Sequence, residues 1–209
     1  MEILTLKKHW LIIIAGILLW SNAFSQDMAR LEKAFSESYA KEEKGEYAAA
    51  VDILKKVYAE DSYELNLRLG WLNYSLGNFT ESSAYYERAI ALNPYAIEAR
   101  FGYVYPLSAL GNWGIVKTQY EKILEIDPMN TLANYRMGMI YYGSENFQAA
   151  LKYFEKVVNL YPFDYDSTIM YAWTQFKLGK LREAEVLFKK ALLMRPGDES
   201  ASEGLQMLK

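Results

Sequence analysis

The sequence predicts an all-α protein of stacked antiparallel helix pairs, and three observations carry that prediction. First, the chain repeats itself every 34 residues: "LRLGWLNYSLGNFTESSAYYERAIALNP" around Gly77 returns as "FGYVYPLSALGNWGIVKTQYEKILEIDP" around Gly111, "YRMGMIYYGSENFQAALKYFEKVVNLYP" around Glu145 and "IMYAWTQFKLGKLREAEVLFKKALLMRP" around Gly179. A fixed period of this length marks a solenoid in which each unit packs only on its neighbours. Second, apolar residues inside each unit recur at spacings of three and four, the helical period. Leu65, Leu69, Leu72 and Leu76 share one helix; Ala84, Ala89, Ile90 and Leu92 share the next. Third, the punctuation is regular. Gly77–Asn78 makes a tight helix-to-helix turn, and Pro94 closes the unit because proline cannot extend a helix but can open the following one.

Taken in order, the chain begins with a segment that is not read as fold. Lys7, Lys8 and His9 precede an unbroken apolar run from Trp10 to Trp20, and small residues Ala23 and Ser25 follow. A basic start, a short apolar run and a small-x-small end describe a secretory signal peptide over residues 1–25, cut after Ser25. The apolar run is shorter than the roughly 20 residues that span a bilayer. The expected product is exported, periplasmic or secreted; the alternative is a chain held at the inner membrane by an uncleaved segment. Residues 26–209 then form a single solenoid domain.

Repeats are read at about 31–62, 63–96, 97–130, 131–164 and 165–198, with a capping helix over 199–209. The pattern resembles the tetratricopeptide repeat family. That family places Gly or Ala at the eighth position of a unit, a small residue at the twentieth, an aromatic at the twenty-fourth, Ala at the twenty-seventh and Pro at the thirty-second. The second unit supplies Gly70, Ser82, Tyr86, Ala89 and Pro94; the fourth Gly138, Ala150, Phe154, Val157 and Pro162; the fifth Ala172, Ala184, Phe188, Ala191 and Pro196. The third departs, with Val104, Val116 and Ile123 in place of small residues, while Tyr120 and Pro128 hold. The first, with Ala50, Leu54 and Val57, is two residues shorter and lacks the closing proline. The resemblance implies a right-handed superhelix whose concave face binds a protein or peptide.

At about 100° per residue, the fourth, seventh, eighth and eleventh positions of each first helix make the buried seam. The second, fifth, ninth and twelfth point away from it, onto the face that lines the groove in proteins of this family. Its fifth positions are Phe35, Leu67, Phe101, Tyr135 and Ile169; its ninth are Tyr39, Trp71, Tyr105, Met139 and Trp173. Tyr74, Tyr142 and Phe176 hold three twelfth positions, where partial burial is expected. At the fifth positions core and groove are both open. The second positions form a mostly acidic ladder of Glu32, Glu64, Glu98, Leu132 and Asp166, and Arg68 and Arg136 occupy sixth positions in alternate units. Trp71 and Trp173 are the expected anchors, because large rings exposed in a concavity mark interaction sites. Rings beside carboxylates favour an extended peptide with apolar and basic side chains. Some family members grip a peptide's terminal carboxylate with a Lys/Asn/Arg clamp; Glu and aromatic residues stand at those positions here, so that activity is not carried over. Pro106, inside the first helix of the third unit, is expected to kink it.

Composition narrows the function. Without Glu2, Lys7 and Lys8, 21 basic and 25 acidic residues remain, a net charge of −4 that argues against nucleic acid as partner. There is no cysteine, and the sole histidine is His9. Beyond residue 25 the chain therefore offers no imidazole base, no thiol nucleophile and no ordinary zinc site. No enzyme and no cofactor are expected. The leading reading is a scaffold that binds an extended protein segment in an aromatic groove. The alternatives are a structural subunit of an envelope assembly, using its convex face or ends, or a binder of cell-wall glycan or peptide. Oligomeric state is left open.

Overall fold

The computed structural model describes residues 27–209. The segment expected to be a signal peptide, with its expected cut after Ser25, lies outside the described residues. Helix α1 covers 27–42. It is followed by α2 (Tyr47–Lys55), α3 (Tyr63–Ser75), α4 (Phe79–Leu92), α5 (Ile97–Ala109), α6 (Trp113–Ile126), α7 (Thr131–Gly143), α8 (Phe147–Leu160), α9 (Tyr165–Lys177), α10 (Leu181–Met194) and α11 (Glu199–Gln206). Among the described residues every regular element is helical. These eleven helices carry the array past the ten that five hairpins account for. The chain divides after Pro94 into two compact bodies.

Sequence-local chemistry sets the helix ends. The residue before α3, α7, α9 and α11 accepts a hydrogen bond from the amide three residues on. Ser62 Oγ accepts from Leu65 N at 3.3 Å, Asn130 Oδ1 from Ala133 N at 3.0 Å, Asp164 Oδ2 from Ser167 N at 2.8 Å and Asp198 Oδ1 from Ala201 N at 2.8 Å. Each satisfies one of the orphan donors of a helix start. Ala96 occupies the same place before α5 and has no side chain to do so. Ala96→Ser is therefore expected to stabilise the C-terminal body by about 1 kcal/mol, read as a higher urea midpoint at unchanged slope. The turn inside each hairpin needs a left-handed residue: Gly77 has φ 81°, whereas Glu145 adopts φ 59° at the matching place in α7–α8 without glycine's freedom. Helix α5 runs through Pro106, which is buried.

In two hairpins a glycine faces a ring. A Cβ added at Gly70 would lie 3.0 Å from the Tyr86 ring, and one at Gly138 only 2.6 Å from Phe154. Ser82, the small residue of the second helix, donates to the Gly70 carbonyl at 2.7 Å. In the N-terminal body, Ala34 of α1 joins Ala50, Val51 and Leu54 of α2 and Leu65, Leu69 and Leu72 of α3 in one core. At the end of the C-terminal body, Ile169, Ala172, Ala184, Phe188, Ala191 and Ala201 form another, covered by α11. Burying these apolar faces is the main stabilising term.

Candidate functional site

The face predicted to bind grades in exposure by position. Second positions are exposed throughout, from Glu32 to Asp166, and fifth positions are half-buried except for buried Ile169. Of the ninth positions, Tyr39, Trp71, Tyr105 and Met139 are exposed, whereas Trp173 is half-buried. Twelfth positions are all half-buried. What each ring touches differs between the two bodies.

In the N-terminal body the predicted residues satisfy one another. The Arg68 guanidinium lies 4.0 Å over the Tyr39 ring and donates to Glu42 Oε2. Trp71 Nε1 donates to Glu42 Oε1 at 2.5 Å, and its ring leans on Tyr74 at 5.9 Å. Phe35 packs near Tyr39, at 6.3 Å, and both line a shallow hollow on α1 with Glu32 and Glu43. Leu67 is half-buried beside this cluster in sequence.

Burial pushes the Glu42 carboxyl up, but hydrogen bonds from Arg68 and Trp71 outweigh it and hold the group below its ordinary 4.5. A depressed folded pKa means the stabilisation is complete above the unfolded value and is lost as pH falls through the folded one. Glu42→Gln should therefore cost about 2 kcal/mol at pH 7. That gap between wild type and variant should close on acidification below about pH 4.5, as read by denaturant midpoints at each pH.

In the C-terminal body a groove of about 740 Å³ opens among α5, α6 and α7. Of the predicted residues, Phe101, Tyr105, Arg136 and Met139 line it. Leu132, Ile140 and Gly143 of α7 complete one wall, and Trp113, Val116 and Tyr120 of α6 the floor and mouth. Phe101 meets Tyr120 at 6.2 Å, and burial pushes the Tyr120 hydroxyl up. Its volume falls within the range of small-ligand and side-chain sites, and its lining is chiefly apolar.

The reason for the opening is Ser108. In neighbouring repeats the twelfth position is aromatic and meets the first residue of the next helix. Tyr74 lies 5.7 Å from Phe79, and Tyr142 lies 5.3 Å from Phe147. Ser108 offers no ring to Trp113, which is left 61% exposed at the groove mouth. Trp113 was not among the residues singled out by position; the "GNW" at the head of the second helix, opposite a serine, is the signal that finds it.

The remaining predicted residues lie elsewhere. Tyr135 packs edge-on to Phe154 at 5.9 Å, and Tyr142 is engaged with Phe147. Trp173 meets Phe188 at 4.9 Å and Phe176 at 5.7 Å, and its Nε1 donates to Ser200 Oγ of α11 at 2.8 Å. The capping helix thus covers this indole and draws it into the terminal core. The groove's open rings, Tyr105 and Trp113, belong to α5 and α6 of the C-terminal body. Among the described residues no group of His, Cys, Asp and Glu could hold a metal ion, and no helix is long and apolar enough to cross a membrane.

Two family models described as tetratricopeptide repeat match this chain, one at residues 63–96 and one at residues 141–208. These segments are tetratricopeptide repeats. Such repeats imply a scaffold for protein interaction. A curated relative, the TPR repeat-containing protein YpiA of Bacillus subtilis (strain 168), is 28% identical over 160 residues, 73% of this chain. The aligned part spans only 37% of that relative's length. Among solved structures, a tetratricopeptide repeat protein from Parabacteroides merdae ATCC 43184 superposes with TM-score 0.74 at 22% identity, covering 86% of this chain and 72% of that one. MamA from Desulfovibrio magneticus RS-1 superposes with TM-score 0.69 at 16% identity, covering 81% of this chain and 97% of its own. These likenesses establish the fold: an α-solenoid of stacked helix hairpins, like that of tetratricopeptide repeat proteins.

Proposed function

We propose that this chain is an exported, non-catalytic scaffold that holds an apolar segment of a partner protein in the groove among α5, α6 and α7. The observation that carries the reading is the vacancy at Ser108. One small residue stands where neighbouring repeats place a ring, and it leaves Tyr105, Trp113 and Met139 exposed around a common hollow. Exposed rings in a concavity make efficient anchors, because affinity rests on a few well-seated side chains more than on total area. The basic start and apolar run of residues 7–20 support the exported location.

Filling the hollow tests the reading. Ser108→Tyr restores the ring found at Tyr74 and Tyr142 and should dock on Trp113 as they do on Phe79 and Phe147. Trp113→Ala removes an anchor. Both variants should keep wild-type helicity by circular dichroism, while capture of partner protein from envelope extracts falls about 10-fold or more. Undiminished capture by both variants would move the site off this groove.

A second reading, a structural subunit that uses an edge of the solenoid, is favoured by one row of residues. The residues after Pro94, Pro128 and Pro162 are Tyr95, Met129 and Phe163, exposed at 79, 50 and 73%. Crosslinkers placed at these residues would capture assembly neighbours that groove variants leave unaffected.

A further inference from the structure

Building on the groove reading above, we propose that the held segment carries an internal Glu or Asp side chain, set among apolar residues, that pairs with Arg136. The chain contains its own precedent. Arg68 and Arg136 stand at the same position of alternate repeats. Arg68 stacks on Tyr39 and donates to Glu42, the ninth and twelfth residues of the preceding repeat. The same two positions before Arg136 are Tyr105 and Ser108. The ring is kept and the carboxylate is gone.

Among the described residues no ion pair replaces that carboxylate: Arg136 takes part in none, and its guanidinium lies 6.0 Å from the ring of its own neighbour Tyr135. The groove lining holds no Asp, Glu or Lys. At this rung the acidic ladder is interrupted, with Leu132 lining the wall where other repeats carry Glu64, Glu98 or Asp166. The basic partner expected from that ladder is therefore the wrong partner for this stretch. A guanidinium prefers a carboxylate, which it grips with two parallel N–H donors. Apolar walls that exclude water once the segment is seated strengthen such a pair. The carboxylate is a side chain, as Glu42 is, because the lining has no second cation and no Asn or Gln side chain to share a chain terminus.

Two experiments on the full chain test this. The first needs no ligand: Ser108→Glu restores the missing group from within. At pH 7 its thermal midpoint should lie roughly 2–4 °C above that of Ser108→Gln, and the difference should vanish when Arg136→Gln is added. Equal midpoints for Ser108→Glu and Ser108→Gln would overturn the geometric argument.

The second uses labelled synthetic peptides of about twelve residues, Leu and Phe alternating with Ser, capped at both ends and centred on Glu, Gln or Lys. A fourth has a Gln centre and a free C-terminal carboxylate. By fluorescence anisotropy the Glu peptide should bind about 10-fold tighter than the Gln peptide, and Arg136→Gln should erase that preference. Tightest binding of the free-terminus peptide overturns the internal side chain as occupant. Equal binding of the Glu, Gln and Lys peptides, abolished by Ser108→Tyr, overturns the carboxylate and leaves the groove standing. If Ser108→Tyr changes no peptide's binding, groove and carboxylate both fall.

Discussion

Phe154→Ala is expected to destabilise the C-terminal body by about 3–5 kcal/mol, the usual cost of emptying a fully buried aromatic site. Phe154 is 0% exposed and fills the space that Gly138 leaves by having no side chain. Its neighbours across the hairpin are helices that cannot close the gap without breaking their own packing. Urea denaturation followed by circular dichroism checks the size of the loss. Hydrogen exchange should place it first in α7 and α8, since each repeat of such an array depends on its immediate neighbours. The converse change tests the same contact from the other side. Gly138→Ala sets a Cβ 2.6 Å from the ring and should cost about 1–3 kcal/mol. In a Phe154→Leu background most of that cost should disappear, and the difference is the coupling of the pair. Additive losses would show that small residue and ring are not one packing unit.

Gly204→Leu is the second large effect. Gly204 lies on α11 with its would-be Cβ 2.4 Å from the Phe188 ring, which is itself 0% exposed. A leucine there cannot be seated beside Phe188, so the eight-residue helix α11 should lift away as a whole. The expected cost is about 3 kcal/mol, at the upper end for overpacking, because lifting α11 also breaks the Trp173–Ser200 bond and uncovers the terminal core. Trp173 reports the event. Its emission should shift to longer wavelength in Gly204→Leu, whereas Ser200→Ala, which removes one hydrogen bond, should cost only about 1 kcal/mol and leave the indole half-buried under α11. An unshifted spectrum in Gly204→Leu would show that α11 accommodates the side chain.

Much of the fold was legible because the code is local and repeated. Gly70, Gly138 and Ala172 at one position, and Tyr86, Phe154 and Phe188 at another, state a packing rule several times over, so a lapse in one repeat does not hide it. The proposed binding face was legible as a set of positions, and exposure follows those positions closely. Which of its rings stay open was not, because a ring's surroundings are set by residues from the preceding repeat or from the cap. Trp71 and Trp173 hold equivalent places in their repeats, yet one donates to Glu42 and the other to Ser200. Neither partner is near in sequence. Ser108 was visible as a departure from Tyr74, Tyr142 and Phe176, but its meaning depends on Trp113 standing opposite.

By itself the sequence determined the helices, their pairing and the period, since these rest on capping residues, turn residues and apolar spacing that act within a few residues of one another. Only the tertiary structure decided where a ligand has room. An indole is buried or exposed, and a guanidinium matched or unmatched, according to what a neighbouring helix sets against it. That neighbour is chosen by packing across about 30 residues of chain, a distance over which no local pattern speaks.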